Sequence, residues 1–203
     1  MVRTKVCGFT RLEDVRAAVA AGVDAIGLNL AKGPRKISVD QAAAFAAAIP
    51  PFVSTVLLFV DAEIDAVRAA VAATGAGCVQ LHGAEDAAYA TAVGAVAQVI
   101  KAFRVRDAAT LDAVAGFPAD AYLLDAYVPG AEGGTGHAWD HGLLAGRDLG
   151  RPVILAGGLT PANVAQAVAT VRPYAVDTAS GVESAPGIKD AAAMAAFVSA
   201  SRS

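Results

Sequence analysis

The chain has little of what would suggest a disulfide scaffold, a membrane protein or a nucleic-acid binder. Of 203 residues only two are cysteine, Cys7 and Cys78. The first falls at the finish of one apolar run and the second at the start of another. On parallel strands they would lie at opposite ends of a sheet, beyond disulfide reach, so both are expected as free thiols. No stripe of Lys or Arg exists, and the formal net charge is −3. Broad electrostatic binding to a phosphate backbone is therefore excluded, and any anionic ligand must be held locally. The stretch that would most alarm a hydropathy window, Ala42 to Val60, carries no charge but is broken by Pro50-Pro51, with Ser54-Thr55 after them, so a membrane-spanning helix is not expected there. No uninterrupted apolar run precedes Glu13-Asp14, hence no secretory signal is read and the cytoplasm is the expected location. No Ser/Pro-rich or charge-block linker divides residues 1–203, which reads as one domain.

What is present is alternation. Hydrophobic residues make up 56% of the chain and mean hydropathy is +0.51, much of it alanine in helical stretches. Short apolar strands recur between these helices. They close at Lys5-Val6-Cys7, then run through Ala25 to Leu30, Val56 to Val60, Cys78 to Leu81, Val99 to Ala102, Ala121 to Leu124, Pro152 to Ala156 and Tyr174 to Thr178. Thr10 with Glu13, and Ser38 with Gln41, have the spacing of capping boxes, while Thr160-Pro161 and Asp190 read as helix starts. A weakly patterned helix is expected through Leu143-Leu144. Eight strand–helix units in this length predict a small (β/α)₈ TIM barrel. A doubly wound open sheet is the alternative. It would need a glycine-rich dinucleotide turn after the first strand, and Cys7-Gly8-Phe9-Thr10 is not one.

In such a barrel the chemistry belongs to polar residues at the C-terminal ends of strands, which here are Cys7, Asn29, His82, Asp125 and Asp177, with Arg35 in the adjoining charged loop. The last two strands end in the turns Gly157-Gly158 and Ser180-Gly181. Small residues there let backbone N–H groups face an anion, so these turns are the expected phosphate site.

Seven segments in order make the pattern specific. Lys5 to Thr10, Gly33-Pro34-Arg35, Val79 to Gly83, Leu124-Asp125, Gly133-Gly134-Thr135-Gly136, Leu155 to Leu159 and Val176 to Glu183 together resemble the motifs of the phosphoribosylanthranilate isomerase family of tryptophan biosynthesis. The resemblance implies an Amadori rearrangement that turns the aldosylamine N-(5-phosphoribosyl)anthranilate into the aminoketose 1-(2-carboxyphenylamino)-1-deoxyribulose 5-phosphate. It implies that Asp125 delivers a proton to the furanose oxygen and that Cys7, made a thiolate by a neighbouring positive charge, removes the C2 proton. Arg35 matches the family residue that meets the anthranilate carboxylate, which suits a planar guanidinium fork. His82 and Asp177 are expected to border the substrate, and Gly157, Gly158, Ser180 and Gly181 to hold its phosphate. No metal or organic cofactor is implied. The partners implied are a small phosphorylated substrate and, at most, a second copy of the chain, with neither nucleic acid nor membrane.

Each residue also has a plainer reading. Cys7 alone is a small buried hydrophobe, Asp125 a loop ion pair, and Arg35 a solvated charge beside Lys32 and Lys36. His82 can shape its turn by bonding a carbonyl, Asp177 can hold neighbouring strands or Arg35, and the Gly133 to Gly136 run can be a connector or a closing loop. The chain departs from the family in having Ala179-Ser180 where two serines are common, and Ala138-Trp139-Asp140-His141 where Phe-Asp-Trp follows the glycine loop. The first removes one hydroxyl that could reach phosphate. A histidine-pathway sugar-phosphate isomerase is the competing enzyme, but its first strand should end in aspartate where Cys7 stands. A catalytically silent phosphate-binding barrel is the competing non-enzyme.

Overall fold

The computed structural model describes residues 1–126, 141–144 and 146–203. Eight parallel strands close into a barrel in sequence order: β1 (Arg3–Cys7), β2 (Ala25–Asn29), β3 (Ser54–Phe59), β4 (Cys78–Leu81), β5 (Gln98–Val105), β6 (Ala121–Ala126), β7 (Val153–Leu155) and β8 (Ala175–Thr178), with β8 returning to pair with β1. The helices between them are α1 (Leu12–Ala20), α2 (Val39–Ala46), α3 (Ile64–Thr74), α4 (Ala87–Val93), α5 (Ala108–Val114) and α6 (Val164–Val171). After β8 come a short hairpin, β9 (Glu183–Ala185) and β10 (Ile188–Lys189), and the last helix, α7 (Ala191–Ser201). The expected barrel is present. No helix among the described residues is long and apolar enough to cross a membrane.

Alternation along each strand divides two cores. Val6, Ile26, Leu57, Val79, Leu81, Tyr122, Leu124, Leu155 and Val176 face the helices in the main core. Val56, Ile100, Ala102, Ala121, Leu123, Ile154, Ala156 and Ala175 fill the barrel interior. Both faces of every strand are thus buried, which is why the strands read as continuous apolar runs. Strand approach also dictates residue size. A Cβ on Gly27 would lie 2.7 Å from the Cys7 sulfur and 2.9 Å from its Cα, so β2 carries glycine where it passes the thiol.

Helix starts divide into those the sequence announces and those that context decides. Ser38 accepts from Gln41 N–H while the Gln41 side chain accepts from Ser38 N–H, a complete capping box. Asp190 caps α7 as expected, accepting from Ala193 N–H. Thr10 does not cap α1. The N-cap is Arg11, and the Thr10 hydroxyl instead donates to Gly187 O at 2.6 Å, tying the β9–β10 turn to the end of β1. The start expected at Thr160-Pro161 also moves: α6 begins at Val164, and Asn163 accepts from Thr160 N–H and donates to Gly158 O. Those bonds shape the turn after β7 and do not start the helix. The pattern through Leu143-Leu144 forms only a single 3-10 turn, His141–Leu144. The Gly133 to Gly136 loop and Ala138-Trp139-Asp140 lie outside the described residues. Cys7 and Cys78 are both free, at opposite ends of their parallel strands.

Candidate active site

At the C-terminal mouth of the barrel a cavity of about 330 Å³ is walled by Cys7, Gly8, Asn29, Arg35, His82, Asp125 and Asp177, among others. All five strand-end residues expected at that rim, and Arg35 from the loop after β2, therefore meet at one place. The barrel's closure accomplishes this, because the C-terminal ends of parallel strands share one rim whatever their separation in sequence.

Asp125 is the fifth residue of β6 and is buried to 8% exposure. Its Oδ1 accepts from the N–H of Ala126, and its Oδ2 lies 3.5 Å from His82 Nε2, longer than an ordinary hydrogen bond. The orientation of His82 is set from below, where Gln80 Nε2 sits 2.9 Å from His82 Nδ1. With the amide nitrogen donating, Nδ1 is the acceptor and the ring proton stands on Nε2, facing the carboxylate. His82 Nε2 and Gln80 Oε1 are buried and have no protein partner among the described residues.

Cys7 ends β1 at 7% exposure. Lys5, two residues earlier, points to the same side of the strand, and its ammonium lies 2.9 Å from Asp177 Oδ1 on the paired strand β8. Asp177 therefore holds Lys5, not Arg35, and forms a buried ion pair one step below the rim. Burial opposes the charge on Lys5, but Asp177 and the Cys7 thiol opposite it prevail and hold the lysine above its ordinary value. For Cys7 burial dominates in the other direction. It pushes the thiol up, Lys5 and Lys189 pull it down, and Asp177 adds to the rise. The positive neighbours expected beside the thiol are present, yet they do not overcome desolvation, and the thiol lies above its usual value.

Arg35 is not a lone cation. Its Nε and Nη2 each donate to Glu183 at 2.7 Å in a two-point fork. Its aliphatic stem lies over Gly8, where a Cβ would meet Arg35 Cδ at 2.4 Å. Glu183 also accepts from Lys189 at 2.7 Å, and the same ammonium donates to the carbonyls of Cys7 and Ala179 at 2.6 and 3.0 Å.

The four turn residues expected to hold phosphate are not walls of this cavity. They lie at the adjoining ends of β7 and β8. Gly157 (φ 89°) and Gly158 (φ 68°) take the left-handed backbone that favours glycine, and a Cβ on Gly157 would strike Ala126 N at 2.5 Å. The N–H groups of Gly157 and Gly158 donate to no protein acceptor among the described residues. Ser180–Val182 forms a 3-10 turn, and a Cβ on Gly181 would lie 2.0 Å from Leu159 O, so the two turns touch.

Lys5, Gln80, Glu183 and Lys189 did not figure among the expected site residues. A lysine within an apolar strand, two positions before the cysteine, is a signal that period-two alternation could have used. Glu183 and Lys189 carry no such signal, since the hairpin holding them has no strong strand pattern.

Eight closed parallel strands, a thiol and a carboxyl meeting at the C-terminal mouth, and glycine turns after the last two strands define a class: (β/α)₈ barrel enzymes acting on small phosphorylated substrates. The comparisons are narrower. The family model for N-(5'-phosphoribosyl)anthranilate (PRA) isomerase matches residues 4–200. The chain is 51% identical over 193 residues to the N-(5'-phosphoribosyl)anthranilate isomerase of Citrifermentans bemidjiense, covering 94% of this chain and 92% of that protein. It superposes on the crystal structure of phosphoribosyl anthranilate isomerase from Thermotoga maritima with a TM-score of 0.93 at 37% identity, covering 100% and 99% of the two chains. A second crystal structure of this kind of enzyme, in complex with reduced 1-(o-carboxyphenylamino)-1-deoxyribulose 5-phosphate, gives 0.90 at 34% identity and covers 100% and 99%. The chain belongs to the N-(5'-phosphoribosyl)anthranilate isomerase family, and the TIM barrel expected from its sequence is the fold of its solved relatives.

Proposed function

We propose that the C-terminal mouth carries out the Amadori rearrangement of N-(5-phosphoribosyl)anthranilate to 1-(2-carboxyphenylamino)-1-deoxyribulose 5-phosphate, with Asp125 as general acid and Cys7 as general base. The observation that carries this assignment is their meeting, from β6 and β1, in one cavity with Arg35 and His82. In the reactive form Asp125 is protonated and Cys7 is a thiolate. Asp125 gives its proton to the furanose oxygen as the C1–O bond breaks, and the anilino nitrogen's lone pair completes an iminium. Cys7 then takes the proton from C2, whose electrons move into the C1–C2 bond and neutralise the iminium nitrogen. The resulting enolamine becomes the aminoketose by gaining a proton at C1 and losing one from O2.

The surroundings favour these steps. The Nε2–H of His82 faces Asp125 Oδ2, placed to donate to the carboxylate left after proton transfer. The iminium supplies a positive charge beside the base at the moment when Cys7, raised by burial, must act as a thiolate. Arg35 meets the anthranilate carboxylate. The N–H groups around Gly157, Gly158, Ser180 and Gly181 hold the phosphate, helped by the small size of the glycines. Asp177, tied to Lys5, borders the substrate from below. The chain 1–203 acts as one barrel domain, proposed to work in the cytoplasm. Every residue named comes from one copy, so the scheme holds for a monomer or a homodimer.

The test is a fluorescence assay of the loss of freshly made phosphoribosylanthranilate, coupled to the next enzyme to confirm the product. Turnover present in the parent and lowered about 10²-fold or more in Asp125→Asn and Cys7→Ala supports the scheme. Turnover only with the two-phosphate histidine-pathway substrate, or none at all, overturns it.

A further inference from the structure

The bonding around Arg35 leaves its charge and its geometry in an unusual balance. A guanidinium has five N–H donors in one plane, and Glu183 takes the edge made by Nε and Nη2 at 2.7 Å each. The end edge, made by Nη1 and the second proton of Nη2, is not used by that pair. Arg35 itself lines the cavity with Cys7 and Asp125. The edge that Glu183 leaves for a carboxylate arriving in the cavity is therefore the end edge, with the plane of the fork set by Glu183.

The pairing has an electrostatic consequence. Glu183 alone would cancel the charge of Arg35 and make the fork a poor anion site. Lys189 prevents this by contacting Glu183 Oε1 at 2.7 Å; burial lowers the lysine below its ordinary value while Glu183 opposes the fall, and with Lys189 protonated the three groups keep one positive charge. Both added groups are deeply buried, with side-chain exposures of 5% for Glu183 and 0% for Lys189. Lys189 is itself fixed by the carbonyls of Cys7 and Ala179, and its backbone N–H donates to Asp14 Oδ2 at 3.0 Å. The hairpin that carries both residues is tied to the end of β1 through Thr10 and Gly187. Through Glu183 and Lys189 these bonds link the arginine to the backbone of the proposed base.

We infer that Glu183 and Lys189 are positioning residues for carboxylate recognition: Glu183 fixes the plane of Arg35 and leaves its end edge to the substrate, while Lys189 preserves the positive charge that Glu183 would otherwise neutralise. This inference rests on the assignment of Arg35 to the anthranilate carboxylate.

The experiment compares two ligands by calorimetry: reduced 1-(o-carboxyphenylamino)-1-deoxyribulose 5-phosphate and the same compound without the carboxyl group. In the parent protein the carboxylated ligand should bind at least about tenfold more tightly, as charge-assisted hydrogen bonds allow. Lys189→Met should lower that ratio several-fold because positive charge is lost, and Glu183→Gln should lower it because loss of the two-point fork that sets the plane of Arg35 outweighs the positive charge gained, in both cases chiefly by weakening the carboxylated ligand. Equal losses for both ligands would mean a merely structural role, and an unchanged ratio would remove the residue concerned from the device. Either result overturns the inference. If Glu183→Gln does not fold, Glu183→Asp keeps the charge but shortens the reach, and an unchanged ratio there is equally fatal. Arg35→Ala serves as the control. If it leaves the ratio intact, the carboxylate does not sit at Arg35 and the underlying assignment fails. If it abolishes the ratio while the Glu183 and Lys189 variants do not, only the inference fails.

Discussion

The two mouths of the barrel are both hollow, and the one without the thiol and the acid has the larger cavity. The N-terminal mouth opens into about 380 Å³ walled by Arg3, Thr4, Asp24, Phe52, Asp120 and Tyr174, against about 330 Å³ at the C-terminal mouth. The difference lies in what the polar groups are already doing. At the N-terminal mouth Asp24 Oδ2 accepts from Thr4 N–H, the Thr4 hydroxyl and Arg202, while Asp120 accepts from Val99 N–H at 2.7 Å. Arg3 lies over the Tyr174 ring at 4.4 Å. These carboxylates pin strand ends, and their bonding capacity is largely taken up. At the other mouth His82 Nε2 and Gln80 Oε1 are buried without a protein partner among the described residues, and Asp125 Oδ1 accepts from its neighbouring N–H. Arg202 Nε, beside Asp24, is likewise buried without a hydrogen-bond partner among the described residues, so what marks the C-terminal mouth is that its unpartnered groups stand in the cavity with Cys7 and Asp125.

The comparison can be broken most decisively at Asp125 and Cys7. Asp125→Asn and Cys7→Ala are each expected to lower kcat by about 10²-fold or more with little change in melting temperature. Asp24→Asn and Asp120→Asn should leave kcat near the parent value and lower stability instead. Steady-state kinetics beside thermal melts would show it, and near-normal kcat in either of the first pair would remove that role. Next in size, Arg35→Ala should raise KM about tenfold with a smaller effect on kcat, and an unchanged KM would detach Arg35 from the carboxylate.

Lys5 sharpens the contrast because it stands in the barrel interior between the two mouths. Removing its charge in Lys5→Met should move the Cys7 thiol still higher. At a fixed pH below that midpoint, alkylation by iodoacetamide in a Cys78→Ser background should then slow several-fold. An unmoved alkylation profile would show that Lys5 does not act on the sulfur. The smallest effect belongs to Asp24, whose carboxyl stands below its ordinary value. Burial raises it, but the bonds from Thr4 and Arg202 outweigh burial. A lowered folded-state value means that its stabilisation is fully present above the unfolded value near 3.9 and is lost as pH falls through the folded one. Its side chain is 38% exposed, so solvent screening should keep the gain to less than about 1 kcal/mol. Acid unfolding of Asp24→Asn beside the parent measures it, and identical acid limbs would refute the assignment.

Much of the architecture was legible in the chain itself. The apolar runs matched the strands to within about two residues at most ends. β5 is the exception, reaching Val105 because Phe103, Arg104 and Val105 continue the ladder against β6. Side chains at loop ends were less legible. Thr10 has the spacing of a capping box with Glu13 but bonds Gly187, far away in sequence, because the hairpin lies within its reach. Cys7, Asp125, Arg35 and His82 were visible as strand-end or loop polar groups, but Glu183 and Lys189 were not. Glu183 closes the family segment Val176 to Glu183, but nothing local gives it or Lys189 a role different from that of a solvated charge in a short hairpin.

The sequence by itself determined the repeating strand–helix order, the placing of polar residues at strand ends and the glycines at the last two turns, because these follow from local periodicity and backbone sterics. Only the tertiary structure decided which charges face each other. Lys5 meets Asp177 through the register of β1 on β8, and Glu183 stands between Arg35 and Lys189 because a hairpin closes over the barrel rim. Such pairings depend on distances between segments far apart in the chain, and on burial that strengthens each charge interaction, and neither is encoded in any short stretch of residues.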